Sequence, residues 1–234
     1  MAMAFSSLDK TKILKLKSAI SSYYSLQMKK LGDDGLQSVF FNSCVITGGC
    51  ISSLYHGEAV NDIDLYAKTK PQCDAVKKII IDTKKNLIKS SEVYNLEDKP
   101  EPLITANAIT LNNDVQFVHM NTADECKRNF DFIHCMPWFD ISQQKLYISE
   151  AQYYAIRDKK LIKNPQYNRE VKSQRIDKYI KRGWTWETSQ TTTTGSATST
   201  LTNSVIDWKD DGTGFLGVVA QEMTDLYPQI AVLR

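Results

Sequence analysis

Two aspartates inside an apolar stretch are the residues of this chain best suited to chemistry. In Asn61-Asp62-Ile63-Asp64-Leu65-Tyr66, a strand conformation would place Asp62 and Asp64 on one face and Ile63 on the other, because alternate residues of a strand share a face. Two neighbouring carboxylates repel each other unless a cation lies between them. Oxygen ligands that leave positions for water and phosphate suit magnesium. The spacing therefore predicts a magnesium site at Asp62 and Asp64.

A glycine pair precedes these aspartates. The apolar run Val45-Ile46-Thr47 ends at Gly48-Gly49-Cys50, and a short helix is predicted to follow. Glycine allows backbone N–H groups to approach a phosphate closely at a helix start, where the helix dipole favours negative charge. A phosphate-binding turn beside a pair of metal ligands is the minimum requirement for phosphoryl or nucleotidyl transfer. Each motif alone is common, but their order and their twelve-residue separation, Cys50 to Asn61, make the combination specific.

In this arrangement, Val45 to Tyr66 resembles the DNA polymerase β-like nucleotidyltransferase superfamily, whose signature is an apolar strand, Gly-Gly (usually then Ser), a spacer of this length and Asp-apolar-Asp-apolar. The resemblance implies nucleotidyl transfer from a nucleoside triphosphate, dependent on magnesium or manganese. It places Gly48, Gly49 and Cys50 at the phosphates and Asp62 and Asp64 on the metal. Cys50 stands where the family usually has Ser. Because a thiol is a poorer hydrogen-bond donor than a hydroxyl, we expect weaker phosphate binding.

Members of this superfamily generally carry a third acidic residue on a later strand. In a hairpin predicted from Ile104 to Leu111 and from Val115 to Met120, the corresponding position holds Gln116, and a neutral amide cannot act as a general base. Asp131 lies in another apolar run, where an acid is costly unless it is paired, hydrogen-bonded or bound to metal. Asp114, two residues before Gln116, is the other available acid, but its place in Asn112-Asn113-Asp114 is more simply that of a turn residue. Asp131 is thus the candidate third carboxylate, with two alternatives left open: a structural acid bonded to backbone or to a helix lysine, and a catalytically degenerate fold.

A basic segment with interleaved aromatic residues extends from Lys159 to Arg182 and contains nine lysines and arginines. Such a segment can bind a triphosphate or a nucleic-acid backbone, with aromatic rings available for stacking. Arg175, Lys178 and Arg182 share one side of a predicted helix and are the candidates for contacts with the nucleotide. A solvated helix face is an equally good interpretation.

The remaining periodicities predict an α+β fold in residues 1–186, with a mixed β-sheet flanked by helices, as the resemblance requires. The predicted helices are Leu8–Lys30, Cys50–Tyr55, Pro71–Ile88, Glu150–Lys160 and Arg169–Gly183. The predicted strands, besides the hairpin, are Ser38–Thr47, Asp62–Lys68, Phe130–Cys135 and Lys145–Ile148. A polar loop is predicted from Glu92 to Pro102.

The composition after Trp186 changes sharply. Residues 187–203 are rich in Thr and Ser and predict a flexible linker. Residues 204–234 form a small unit in which Leu216 to Ile230 resembles the intramolecular chaperone domain of phage tail spikes and fibres, which implies a phage-encoded protein. Its apolar residues need covering, so we expect this unit to pack on another copy, on virion proteins or on a distant patch of its own domain.

Bulk properties exclude several classes of protein. The 234 residues are 42% hydrophobic and 24% charged with a net charge of +2, which is ordinary for a globular protein. No run approaches the roughly 18 apolar residues of a membrane span, and the N-terminus lacks the apolar core of a signal peptide. The five cysteines show no zinc spacing. We therefore expect reduced thiols and a location in the host cytoplasm, or in the virion.

Two functional hypotheses follow from the sequence. The first is a magnesium-dependent nucleotidyltransferase that acts on an unknown nucleic-acid, protein or small-molecule acceptor; Gly48-Gly49 and Asp62-Ile63-Asp64 favour it. The second is a catalytically idle protein of the same fold that serves as a structural or interaction component of a phage particle. Cys50 and Gln116 favour the second.

Overall fold

The computed structural model describes residues 7–90, 103–111 and 114–186. The predicted linker, the C-terminal unit and the whole Glu92–Pro102 loop lie outside the described residues, so the predictions made for them stay predictions.

The described part of the chain contains both helices and strands, interspersed along the sequence. The helices are α1 (Ser7–Leu31), α2 (Asp34–Ser43), α3 (Gly49–Tyr55), α4 (Lys70–Ser90), α5 (Ala123–Cys126), α6 (Glu150–Arg157) and α7 (Ser173–Ile180). The strands are β1 (Cys44–Thr47), β2 (Ile63–Ala67), β3 (Leu103–Ile104), β4 (Ala108–Leu111), β5 (Val115–Val118), β6 (Trp138–Asp140), β7 (Lys145–Tyr147), β8 (Lys160–Leu161) and β9 (Thr185–Trp186).

Seven of these strands form one sheet in the order β3-β4-β5-β2-β1-β6-β7, and β8 pairs separately with β9. Within the large sheet β2 and β5 run parallel, while the other neighbouring pairs are antiparallel. The fold is therefore α+β with a mixed sheet flanked by helices, which confirms the fold class expected from the sequence.

One face of the sheet supplies the main core. Ile63 and Leu65 of β2 are buried with Ile46 of β1, together with apolar residues of α1, α2 and α4. Because strand side chains alternate, Asp62 and Asp64 lie on the opposite face. Part of that face is covered by a smaller apolar cluster that includes Val45 and Tyr66. The alternation thus leaves the two carboxylates at the edge of a covered surface, half-buried rather than fully exposed.

Two predicted strands differ from the structure. Of the predicted strand Ser38–Thr47, only Cys44–Thr47 is present as a strand, β1. Residues 38–43 belong to helix α2, because the Asp33 side chain accepts a hydrogen bond from the Leu36 N–H at 3.0 Å and so caps a helix start. The segment Phe130–Cys135 contains a single bridge, Phe132 to Lys163, followed by a 3-10 turn at Ile133–Cys135. Both are short apolar runs, for which periodicity does not separate strand from other buried backbone.

The described helices include none that is long and apolar enough to cross a membrane. The predicted helix Arg169–Gly183 is shorter in the structure, and strand β6 was not predicted. The predicted strand Ile104–Leu111 is wrong as a single strand, because the structure divides it into β3 and β4, which pair antiparallel with each other. The other predicted elements in the described residues are present with boundaries shifted by a few residues.

Candidate functional site

The glycine turn and the aspartates meet at the ends of two paired strands. Strands β1 and β2 are antiparallel, with Thr47 opposite Asp64. Gly48 has φ +92°, a conformation that side chains rarely adopt, and a Cβ added to it would lie 2.7 Å from Asp64 Oδ2. Only glycine therefore allows the turn to approach this carboxylate. The expected adjacency of the two motifs is confirmed.

Gln116 lies beside the carboxylate pair. The parallel pairing of β2 with β5 sets Gln116 opposite Asp64, and Gln116 Nε2 donates a hydrogen bond to Asp62 Oδ2 at 3.1 Å. The neighbouring strand thus presents an amide to the aspartates at the position where the resembled superfamily carries its third acid. This contact holds the Asp62 carboxylate in place, but it supplies no additional negative charge and no base.

The electrostatics of Asp64 are those of a carboxylate that lacks sufficient positive charge around it. Burial, and secondly the charge of Asp62, raise the pKa of Asp64 to about 7, while Arg175 and Lys178 act in the opposite direction. A divalent cation bound by the two carboxylates would relieve both the burial cost and the repulsion. Among the described residues, no group of three His, Cys, Asp or Glu side chains is arranged to hold a metal, so such a cation would have two protein carboxylates only.

The backbone of residues 135–137 and helix α7 cover the glycine turn. The Gly48 N–H donates to the Cys135 carbonyl at 3.1 Å, and Thr47 Oγ1 donates to the Pro137 carbonyl at 2.8 Å. A Cβ added to Gly49 would lie 3.4 Å from Tyr179 Oη, so the tyrosine hydroxyl rests against this glycine. Tyr179 is one of the aromatic residues of the basic segment, for which the sequence predicts rings available for stacking, whereas the structure buries it at the turn.

Cys50 turns its side chain away from any ligand at this turn. Its thiol is buried and donates to the Thr47 carbonyl at 3.4 Å. Burial, followed by the charge of Asp64, raises the pKa of this thiol, which keeps it protonated. A contribution of Cys50 to phosphate binding would therefore come from its backbone N–H and not from its sulfur.

Asp131 does not join the carboxylate pair. Its two oxygens accept a bidentate pair of hydrogen bonds from Arg175, at 2.7 Å from Nε and 3.1 Å from Nη2, and Oδ1 also accepts from the Phe132 N–H at 3.1 Å. The prediction of Asp131 as the third carboxylate is not supported by the geometry, because Arg175 and the Phe132 N–H take three of its acceptor positions and no group of three acids among the described residues is arranged to hold a metal. The alternative of a structural acid fits, with an arginine in place of the expected lysine.

The predicted basic residues separate into two groups. The charges of Arg175 and Lys178 on α7 act on Asp64, and Lys178 is exposed. Arg182 lies beyond the end of α7 and offers its backbone carbonyl to Lys159 Nζ at 3.2 Å. The structure therefore brings Arg175 and Lys178 to the site with Gly48, Gly49, Asp62 and Asp64, and gives Arg182 a structural contact instead.

Comparison with known proteins gives a family. A family model described as Gabija anti-defense 2 family protein matches residues 16–159, which is more than half of the chain and includes the glycine turn, both aspartates, Gln116 and Asp131. The chain belongs to this family. It is also similar to Gabija anti-defense 2 of Bacillus phage SPbetaL7, with 25% identity over 122 residues. That match covers 51% of this chain and 28% of the relative, so the chain spans less than a third of that protein. No solved structure matches.

The relative is a bacteriophage protein, which supports the phage origin expected from the sequence. The family match ends at residue 159, whereas α7, with Arg175, Lys178 and Tyr179, lies beyond it.

Proposed function

We propose that this member of the Gabija anti-defense 2 family counters the defence named Gabija in its bacterial host by metal-dependent nucleotidyl transfer. The observation that carries the proposal is the carboxylate pair Asp62 and Asp64 at a glycine turn that only Gly48 permits. The raised pKa of Asp64 supports it, because a buried pair of like charges is suited to a cation. The protein would act in the host cytoplasm.

In this proposal Asp62 and Asp64 hold magnesium or manganese, since oxygen donors are the ligands these cations prefer. When bound, the cation would supply charge neutralisation for a nucleoside triphosphate. Gln116 keeps one Asp62 oxygen in a fixed direction. Lys178 and Arg175, whose charges act on Asp64, would provide positive charge for the phosphates. The acceptor is a nucleic acid or protein of the host.

The test uses full-length protein, each of the four α-labelled nucleoside triphosphates and magnesium or manganese, with extract from cells that carry Gabija. We expect label to be transferred to a macromolecule by the wild type and not by Asp62→Ala or Asp64→Asn. Asp82→Asn is the matched control, because Asp82 is an exposed aspartate on α4 outside the site. In parallel, the same variants are expressed in Gabija-carrying cells during phage infection. Loss of anti-defence in Asp64→Asn but not in Asp82→Asn is expected.

A second candidate function is favoured by Gln116. Because this amide cannot accept a proton and Asp131 is engaged by Arg175, the described part of the site does not contain the third acid of the resembled superfamily. The protein would then be an idle nucleotidyltransferase-like fold that acts by binding, either as an interaction protein or as a component of the virion. Anti-defence that survives in both Asp62→Ala and Asp64→Asn, without any labelled product from the wild type, would favour this candidate over the first.

A further inference from the structure

We propose that Asp131 is a positioning residue for Arg175, and that it fixes the guanidinium so that its remaining N–H groups bind the phosphates of a nucleoside triphosphate at the Asp62–Asp64 site. This inference rests on the proposed nucleotide binding and assigns Asp131 a role different from metal ligation.

Arg175 and Asp131 form a bidentate ion pair. Arg175 Nε and Nη2 both bond to Asp131, at 2.7 and 3.1 Å. This parallel bidentate arrangement restricts the plane and the rotation of the guanidinium. The Asp131 side chain is 9% exposed, and that of Arg175 is 40% exposed. The acid is thus anchored in the protein, while part of the arginine faces solvent.

Within the described residues, the N–H groups on the far side of the guanidinium are left for a ligand. Arginine carries five donors, and Asp131 takes one from Nε and one from Nη2, which leaves both donors of Nη1 and one of Nη2. The positive charges of Arg175 and Lys178 act on Asp64. An arginine that is held by one carboxylate and whose charge acts on a second acidic pair is suited to the phosphates of a nucleoside triphosphate.

The buried ring of Tyr179 packs against this arginine. Its guanidinium carbon lies 5.6 Å from the ring centroid of Tyr179, one turn further along α7. Tyr179 is itself buried, with its hydroxyl against Gly49 and 3.4 Å from Cys135 Sγ. Asp131 and Tyr179 therefore fix Arg175 relative to the glycine turn from two directions. Bound phosphates would meet a donor that loses little conformational freedom.

The test is calorimetric titration of the full chain with a non-hydrolysable nucleoside triphosphate and manganese, using the four bases in turn. Neutralisation of Asp131 makes the protein more positive, so simple Coulomb attraction predicts tighter binding of the anion. If Asp131 instead positions Arg175, its neutralisation should weaken the binding of the triphosphate. We expect Asp131→Asn to weaken triphosphate binding about tenfold, as does Arg175→Lys, which keeps the charge but loses the fork. The double variant should bind the triphosphate almost as well as either single variant, because both substitutions disrupt the same Asp131–Arg175 pair.

Three controls make the result specific. Asp177→Asn has the same charge change on exposed α7 surface and should bind as the wild type does. The matching nucleoside monophosphate and manganese alone should bind each variant as they bind the wild type, since neither needs the outer phosphates. Thermal melting confirms that the variants are folded. Thermal melting also decides which variant is used: Arg175→Lys keeps a cation beside Asp131 and tests the positioning if Asp131→Asn is unfolded.

Two outcomes would overturn the inference, and they are distinguishable. Wild-type binding with unchanged or tighter binding by Asp131→Asn and Arg175→Lys would reject positioning by Asp131 and leave the proposed function intact. An absence of triphosphate binding by the wild type, with any of the four bases, would reject both.

Discussion

His134 is expected to make the protein lose stability in mild acid, and replacement by phenylalanine should remove this loss. The imidazole is fully buried, and neither ring nitrogen has a hydrogen-bond partner within the described residues. It is enclosed by Trp184 at 4.2 Å, Tyr179 at 4.6 Å and Phe132 at 5.5 Å between ring centroids. His134 is thus a core residue whose two ring nitrogens have no hydrogen bonds to the described residues.

The magnitude follows from the protonation of this ring. Burial is the largest cause that lowers the pKa of His134, from 6.5 to about 3. Because the folded-state pKa is depressed, stability is fully present above the unfolded-state pKa and falls as the pH decreases toward the folded-state value. Between pH 7 and pH 5 the folded protein stays neutral at this position while the unfolded chain becomes protonated. The resulting loss in the free energy of unfolding is about 2 kcal/mol.

The assay is urea unfolding at pH 7 and pH 5 for the wild type, His134→Phe and Trp184→Phe. Phenylalanine at position 134 alters packing equally at both pH values, so the difference between them isolates the proton. We expect His134→Phe to lose about 2 kcal/mol less than the wild type on acidification. Trp184→Phe changes the same cluster without removing a titratable group and should retain the wild-type loss. If His134→Phe is as acid-sensitive as the wild type, the folded protein accepts the proton and the argument from burial is wrong.

Three further predictions concern the carboxylate site. Gly48→Ala should destabilise the protein by at least about 1 kcal/mol more than Gly57→Ala in urea unfolding. Both glycines have positive φ, but only at Gly48 would an added Cβ lie 2.7 Å from Asp64 Oδ2; equal losses in the free energy of unfolding would contradict this contact. Asp64→Asn should raise the free energy of unfolding in EDTA at pH 8 by about 2–4 kcal/mol, because burial and the charge of Asp62 disfavour the ionised Asp64. Manganese should no longer raise the melting temperature of this variant, whereas Asp82→Asn should show neither change. Gln116→Glu should strengthen manganese binding about tenfold in calorimetry, because it adds a carboxylate where Gln116 now bonds to Asp62; unchanged affinity would show that this position does not face the cation.

The central part of the site could be predicted because its information is local. Strand alternation alone sets Asp62 and Asp64 on one face, and the short distance along the chain from Gly48 to Asp62 permits the two strands to pair next to each other. The structure pairs Thr47 with Asp64 accordingly. The presence of an amide beside the aspartates could also be predicted, because the sequence has Gln116 at the position of the third acid. The structure places Gln116 opposite Asp64 on the neighbouring strand.

The parts that failed depend on contacts between distant residues. Asp131 in an apolar run correctly indicated a paired acid, but its partner Arg175 is 44 positions away, and no local pattern identifies it. The run Phe130 to Cys135 was taken for a strand because consecutive buried residues also occur in strands enclosed on both faces. In the structure, Phe132 and His134 pack around Tyr179 and Trp184 instead, which is a tertiary arrangement that periodicity does not encode.

Gly48 has a structural explanation that bears on both candidate functions. It is required by the approach of Asp64, whereas a Cβ added to Gly49 would lie at an ordinary contact distance, 3.4 Å, from Tyr179 Oη. The contact at Gly48 would favour glycine even in a protein that transfers nothing, so Gly48 does not distinguish an enzyme from an idle fold. Gln116 does, because its amide occupies the position at which a third carboxylate would bind metal or accept a proton. Gain of labelled product in Gln116→Glu, with binding of triphosphate already present in the wild type, would place the difference between binding and catalysis at this one side chain.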